Sequence, residues 1–255
     1  MYAVISDVHA NREALQAVLE TLKGLRPERI VCLGDMVGYG PDPAWCVDTV
    51  LAECEVVLAG NHDAAVTSGR FGFTQMAGAA IRYHRLLLNP LSELPGDSGK
   101  RKKRWERLRL LGHRQAEGGC LFVHGSPRNP VNEYLRESDV TLGTGKKVRE
   151  NFTLVEWLAF VGHTHKPGVI TSDMEFLSPD DCGGLYRAMP GRKAIVNVGS
   201  VGHPRDGDPS ACFVTVDGPE IRYHRVPYDV EATVAKIHES GGLDPRFADR
   251  LRSAT

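Results

Sequence analysis

The chain has 255 residues, 42% of them hydrophobic and 25% charged, which is the composition of an ordinary globular protein. Its 31 Lys and Arg against 32 Asp and Glu leave a formal charge of −1, arguing against a generic nucleic-acid coat or a polybasic membrane binder. No apolar run approaches the ~20 residues of a membrane span, and no basic leader with a cleavage site opens the chain. Six dispersed cysteines without a C-x-x-C pair read as core residues of a reducing, cytoplasmic compartment.

Tyr2-Ala3-Val4-Ile5 is a short apolar run that ends in Ser6-Asp7-Val8-His9. Residues 12 to 23 follow, with Leu15, Val18, Leu19 and Leu22 on one helical face, Asn11 as N-cap and Gly24 just past the end. Arg29–Leu33 runs into Gly34-Asp35; Asp42-Pro43 then opens a helix carrying Val47, Val50 and Leu51. Val56–Ala59 runs into Gly60-Asn61-His62-Asp63. Such short, continuously apolar runs predict buried strands, and their alternation with helices predicts a sheet with crossovers. Residues 64 to 118 show no strand pattern and read as a helical insertion.

Further on, Cys120–Val123 leads to His124-Gly125, and Leu158–Val161 to Gly162-His163-Thr164-His165. Three consecutive strands are predicted after residue 190, at Ala194–Val198, Ala211–Val216 and Glu220–Val226, with Asp217-Gly218 turning the last pair. They suggest a second, more antiparallel sheet, followed by a helix from about Val230 to Glu239.

Every polar cluster stands where a strand ends, and in sheets with crossovers ligands bind outside the strands' carboxyl ends. Asp7, His9, Asp35, Asn61, His124, His163 and His165 would converge there. Two carboxylates, an amide oxygen and four imidazoles suit two mid-row metal ions sharing Asp35, with Mn or Fe first and Zn or Ni as alternatives. Two such ions hold a bridging hydroxide and clamp a phosphoryl group for in-line attack.

The ordered series D-x-H, G-D, G-N-H-D, V-H-G and G-H-T-H resembles the calcineurin-like metallophosphoesterase superfamily, from Asp7 to His165. Asn197–Gly202 also resembles the loop after the last metal motif in small bacterial members. The resemblance implies an α/β fold, a four-layer αββα sandwich of two mixed sheets forming one domain over 1–255. It implies one metal on Asp7, His9, Asp35 and His165, and a second on Asp35, Asn61, His124 and His163. His62 would be the catalytic histidine, with Asp63 fixing its tautomer. The protein phosphatases of the superfamily carry arginines where Met36 and Ala59 stand, so a small phosphodiester or dinucleoside polyphosphate is the first expectation. Phosphomonoester or phosphoprotein hydrolysis is the alternative, and a non-catalytic scaffold the rival from another class. The expected partner is a small phosphorylated molecule such as a nucleotide, not nucleic acid or membrane; a homodimer is one option for assembly.

Three further residues are substrate-contact candidates. Arg205 would grip a phosphate. Asn11 would touch substrate unless it only caps its helix, and Tyr39 would stack on a base. The basic run Lys100–Arg109 would attract polyphosphate if it lay over the metal site; otherwise it is a solvated segment. Gly143–Lys147 lacks the first Gly and the final Ser or Thr of a phosphate loop and is set aside.

Overall fold

A computed structural model describes residues 1–69, 72–142 and 145–255. The chain opens with β1 (Tyr2–Ile5), α1 (Arg12–Leu25), β2 (Ile30–Cys32), α2 (Pro43–Glu53) and β3 (Val56–Val57). Helices α3 (Asn61–Ser68), α4 (Gln75–Leu88) and α5 (Ser98–Leu110) lead to the hairpin β4 (Arg114–Glu117) and β5 (Cys120–Val123). After α6 (Ser138–Thr141) and α7 (Lys146–Phe152) come β6 (Leu158–Val161), β7 (Gly168–Thr171), β8 (Phe176–Leu177), β9 (Leu185–Arg187) and β10 (Ala194–Asn197). The hairpin β11 (Ala211–Asp217) and β12 (Glu220–Val226) precedes α8 (Val230–Glu239) and α9 (Arg246–Ser253).

Among the described residues these strands form two six-stranded mixed sheets, ordered β3-β2-β1-β11-β12-β9 and β4-β5-β6-β10-β7-β8. Val4, Val31, Leu33 and Val214 of the first sheet meet Phe122, Leu158, Phe160 and Val196 of the second in one buried cluster. The outward residues Ala3, Ile5, Cys32 and Phe213 of the first sheet pack under α1 and α2. Leu121, Val123, Ala159 and Val161 of the second pack against Leu135, Val148 and Phe152. Neighbouring strand residues thus go to opposite faces, and both faces are apolar. That is why the runs show no polar alternation, and it makes the layers α, β, β, α.

The structure corrects several expectations. The α1 helix runs through Gly24, and the left-handed cap is Arg26 at φ 53°. The 64–118 stretch contains a strand: β4, wholly exposed with sequence Arg-Gln-Ala-Glu, pairs antiparallel with β5. An edge strand exposed along its length buries nothing, so it leaves no hydrophobic pattern; the Gly118-Gly119 turn, with φ 57° and 78°, was its available signal. The three strands after residue 190 do not all share a sheet. β10 lies parallel to β6 in the second sheet, whereas β11 joins β1 in the first. No helix of the described residues is long and apolar enough to cross a membrane. Arg70 and Phe71 of the insertion, and Gly143 and Thr144 of the rejected phosphate loop, lie outside the described residues.

Candidate metal centre

The parallel strands β1 and β2 end side by side, and the loops after them lock together. Asp7 N–H donates to the Gly34 carbonyl (3.0 Å), and His9 N–H to the Asp35 carbonyl (2.9 Å). The equivalent loops after β5 and β6 face them across the sandwich. Asp7, His9, Asp35, His163 and His165 all sit at φ between 47° and 65°. Left-handed backbone at non-glycine residues costs on the order of 1–3 kcal/mol each and clusters at functional sites. The motif glycines have a steric cause. A Cβ on Gly60 would lie 2.0 Å from Asp35 Oδ1, one on Gly162 2.4 Å from Asp7 Oδ2, and one on Gly38 2.2 Å from His62 Nδ1.

The nominated donors converge in two overlapping groups. In the first, His9 Nε2 and His165 Nε2 stand 3.0 Å apart, and Asp7 Oδ1 is 3.1 Å from His165 Nε2 and 3.7 Å from His9 Nε2. In the second, His124 Nε2 lies 3.1 Å from His163 Nδ1, 3.2 Å from Asn61 Oδ1 and 3.3 Å from Asp35 Oδ2. Asp35 Oδ2 is also 3.7 Å from His9 Nε2, so one oxygen reaches both groups. The other carboxylate oxygens are fixed by backbone: Asp35 Oδ1 accepts from His62 N–H (2.8 Å) and Asp7 Oδ2 from His163 N–H (3.0 Å).

These residues fit metal ions. Nδ1 of His9 bonds the Val37 carbonyl (2.9 Å) and Nδ1 of His165 the His203 carbonyl (2.6 Å), so in the neutral rings both Nδ1 atoms hold the proton. Two bare Nε2 lone pairs then face each other at 3.0 Å, an arrangement that a cation held by both rings would relieve. Asp7 Oδ1 is buried without a hydrogen-bond partner. In the second group His163 Nε2 lies 3.3 Å from the Asn132 carbonyl, which leaves Nδ1 as the donor atom.

Electrostatics run the same way. Burial lowers His163 to about 3, and burial with the Arg205 charge lowers His165 to about 4, so both rings are neutral at physiological pH. Burial alone would raise Asp7, but the His165 and His124 rings hold it well below the usual carboxylate range. Against burial, Asp35 and Asp7 carry His124 up to about 9; a cation bound to Asp35 and His124 competes with that proton.

His62 sits beside the cluster, its ring 4.8 Å from His9, 4.7 Å from Tyr39 and 4.9 Å from Phe73. Its Nδ1 is buried without a partner, and burial lowers its pKa well below the ordinary value. A donor atom of His62 also lies within 4.8 Å of donors on His9 and Asp35. A cavity of about 920 Å³ opens over His62, Asn61 and His163.

Three other candidates have different roles from those expected. Asp63 does not touch the His62 imidazole: Oδ1 accepts from the Met36 and Val37 N–H groups and Oδ2 from Gly60 N–H, so it ties the second loop to the third. Burial and the Asp35 charge push its pKa up to about 7. Asn11 is the helix cap, not a substrate contact. Its oxygen accepts from Ala14 N–H and Thr233 Oγ1, and its Nδ2 donates to the Gly202 carbonyl and Tyr228 Oη, which exhausts its capacity. Tyr39 lines the cavity, but it is 8% exposed, with ring centroids of His9, His62, His203 and Phe247 4.4–5.0 Å away, which leaves its ring little room to stack on a base. Arg205 does reach the cavity, donating Nη2 to Tyr39 Oη at 3.3 Å.

The basic run does not line this cavity. It forms α5, where Arg104 is bidentate to Asp48 of α2 and Arg101 bonds the Ser92, Leu94 and Pro95 carbonyls. Two residues escaped the sequence reading. Tyr134 stacks on His163 at 3.8 Å and 15°, ten residues past His124 in a turn-rich segment. Arg250 lines the cavity from α9, a helix the sequence reading did not find.

Residues 1–218 match the family model described as the calcineurin-like phosphoesterase superfamily domain. A metallophosphoesterase from Sphaerobacter thermophilus is 33% identical with a TM-score of 0.82, over 100% of this chain and 98% of that one. An uncharacterized protein of Methanocaldococcus jannaschii is 32% identical over 243 residues, 93% of this chain and 91% of its own. A hypothetical protein from Pyrococcus horikoshii shares the fold at 19% identity and a TM-score of 0.72, over 100% and 99% of the two chains.

Proposed function

The chain belongs to the calcineurin-like phosphoesterase superfamily and is a metal-dependent phosphoesterase, and from that premise we propose that it cleaves a small phosphodiester or dinucleoside polyphosphate on a two-ion centre. The observation that carries the reading is the pair of imidazole contacts, 3.0 and 3.1 Å, with Asp35 Oδ2 reaching both. Asp7, His9, Asp35 and His165 would hold one ion, and Asp35, Asn61, His124 and His163 the other. Mn or Fe suits this mixed N/O set, with Zn or Ni next. Ions held there supply Lewis acidity and an activated water, which phosphoester hydrolysis needs at neutral pH.

The chain's own residues do the rest. The cavity beside Asn61 and His163 receives the substrate, with the attacked phosphoryl group at the ligand cluster, and Arg205 reaches the same space to pair with a substrate phosphate. His62 is held neutral by burial, so its part is to donate one N–H to a phosphoryl or leaving-group oxygen. The anionic substrate raises its proton affinity on binding, which readies it to protonate the departing oxygen. Attack is in line on phosphorus, without a covalent enzyme intermediate.

The test is product release with Mn²⁺ across a diaryl phosphodiester, an aryl phosphomonoester, diadenosine tetraphosphate and a phosphopeptide. Turnover of the diester and dinucleotide, abolished by Asp35→Asn, is the expected result. Turnover only of the monoester or phosphopeptide would move the reading to a phosphatase. Metal-loaded protein inert on all four would point to a scaffold.

A further inference from the structure

We propose that Arg205 and Arg250 form a second anion subsite beside the ligand cluster, selecting substrates that carry another phosphate next to the one attacked. The inference rests on the phosphohydrolase reading and narrows its substrate class. Both arginines line the cavity that holds Asn61, His62 and His163. Arg205 is paired with no carboxylate among the described residues and donates Nη2 to Tyr39 Oη, whereas Arg250 donates Nε to the main-chain oxygen of Thr255, the last residue of the sequence (2.7 Å). Arg205 Nε is buried with no partner. The contrast within α9 is direct. Arg246 pairs with Asp244 and Arg252 with Glu231, whereas Arg250 has no Asp or Glu partner among the described residues and lines the cavity.

Tyr39 organises the pair. The Arg205 guanidinium lies 5.6 Å from its ring centroid, and Phe247, three residues before Arg250, packs on the same ring at 5.0 Å. Burial and the Arg205 charge depress the Arg250 pKa, so the two guanidiniums feel each other. Two neighbouring guanidiniums repel, and an anion between them removes that cost while accepting bidentate hydrogen bonds. The phosphoryl under attack belongs at the imidazole–carboxylate cluster, so the anion here is a second one. The cavity is large enough: about 920 Å³ stands at the upper end of the roughly 300–1,000 Å³ of small-molecule sites. Arg250 lies beyond residue 218, where the family match ends, and Arg205 lies within it.

The probes are the p-nitrophenyl esters of AMP and ADP, which differ by one phosphate, with the Mn²⁺-loaded full chain. Wild type should favour the ADP ester in kcat/KM, and Arg250→Met, which keeps the aliphatic stem, should cut that preference about 10- to 100-fold, mainly through KM. Arg250→Lys should recover part of it. A preference moved less than about threefold by Arg250→Met overturns the subsite. A wild-type readout stands free of any folding defect: raising ionic strength should erode the ADP-ester preference, and equal salt dependence for both esters overturns the proposal. Wild type that cleaves both esters without an Arg250-dependent preference sinks the subsite alone. Wild type that cleaves neither sinks the phosphohydrolase reading and the subsite with it.

Discussion

The two ends of the ligand cluster are built to different standards of enclosure. At the Asp7–His9–His165 end no donor lines the large cavity, and each imidazole is tied back to a backbone carbonyl, His9 to Val37 and His165 to His203. At the Asp35–His124–His163 end, Asn61 and His163 border the large cavity, and His124 Nδ1 is buried with no partner. One end is a rigid seat whose donors are oriented before anything binds. The other opens to the space where substrate must arrive. On the proposed two-ion reading, a site so divided should release one ion slowly and exchange the other quickly.

Asp35→Asn is the largest perturbation, because its Oδ2 belongs to both ends. Mn²⁺-dependent turnover should become undetectable, and metal analysis after gel filtration should find both ions depleted. Two ions per chain in that variant would break the picture outright. The next variants separate the ends. His165→Ala removes a donor of the enclosed end and His163→Ala one of the open end, so each should retain about one ion per chain. The ion left in His163→Ala should resist a chelator, and the one left in His165→Ala should leave quickly. Equal chelation rates would remove the distinction.

The same division governs what the sequence disclosed. The donors were legible because each follows an apolar strand run, and strand ends put side chains of fixed type at one edge of a sheet. Asp63 was legible as important but misassigned. Adjacency to His62 in the chain suggested contact, while the first turn of α3 turns its carboxylate to the Met36, Val37 and Gly60 N–H groups instead. Asn11 and Tyr39 stood beside motifs and proved to be supports, since capping and ring packing leave no motif of their own. The open end's remaining walls were invisible. Tyr134 reaches His163 from a loop, and Arg250 comes from a helix with few apolar residues, Phe247, Ala248 and Leu251 being its buried face. β4 had no buried face at all.

His62 sharpens the comparison from the catalytic side. It touches the enclosed end through His9 yet borders the cavity, and its donor atom lies within reach of His9 and Asp35. As a proton or hydrogen-bond donor, His62→Gln should lower kcat about 10²- to 10⁴-fold while both ions stay bound. An ion lost in His62→Gln would instead make it a ligand of the shared region.

The smallest expected effect concerns how the open end is braced. Glu133 accepts from Ser126 Oγ (2.7 Å), Asn151 Nδ2 (2.9 Å) and Arg128 Nε (3.0 Å), joining the loop after His124 to the turn that carries Asn132 and Tyr134. Burial would raise this carboxyl, but the bonds from Arg128, Asn151 and Ser126 hold it at about 2, below its ordinary 4.5. A depressed pKa stabilises the fold fully above the unfolded value. Wild type should therefore be more stable than Glu133→Gln above pH 4.5, by about 1–3 kcal/mol for the lost charged hydrogen bonds, and the gap should close as pH falls toward 2. Because Asn132 and Tyr134 contact only His163 among the donors, the same variant should weaken the fast-exchanging ion about tenfold and leave the slow one alone. Equal weakening of both ions in Glu133→Gln would show that the two ends share one scaffold and that their different enclosure has no thermodynamic consequence.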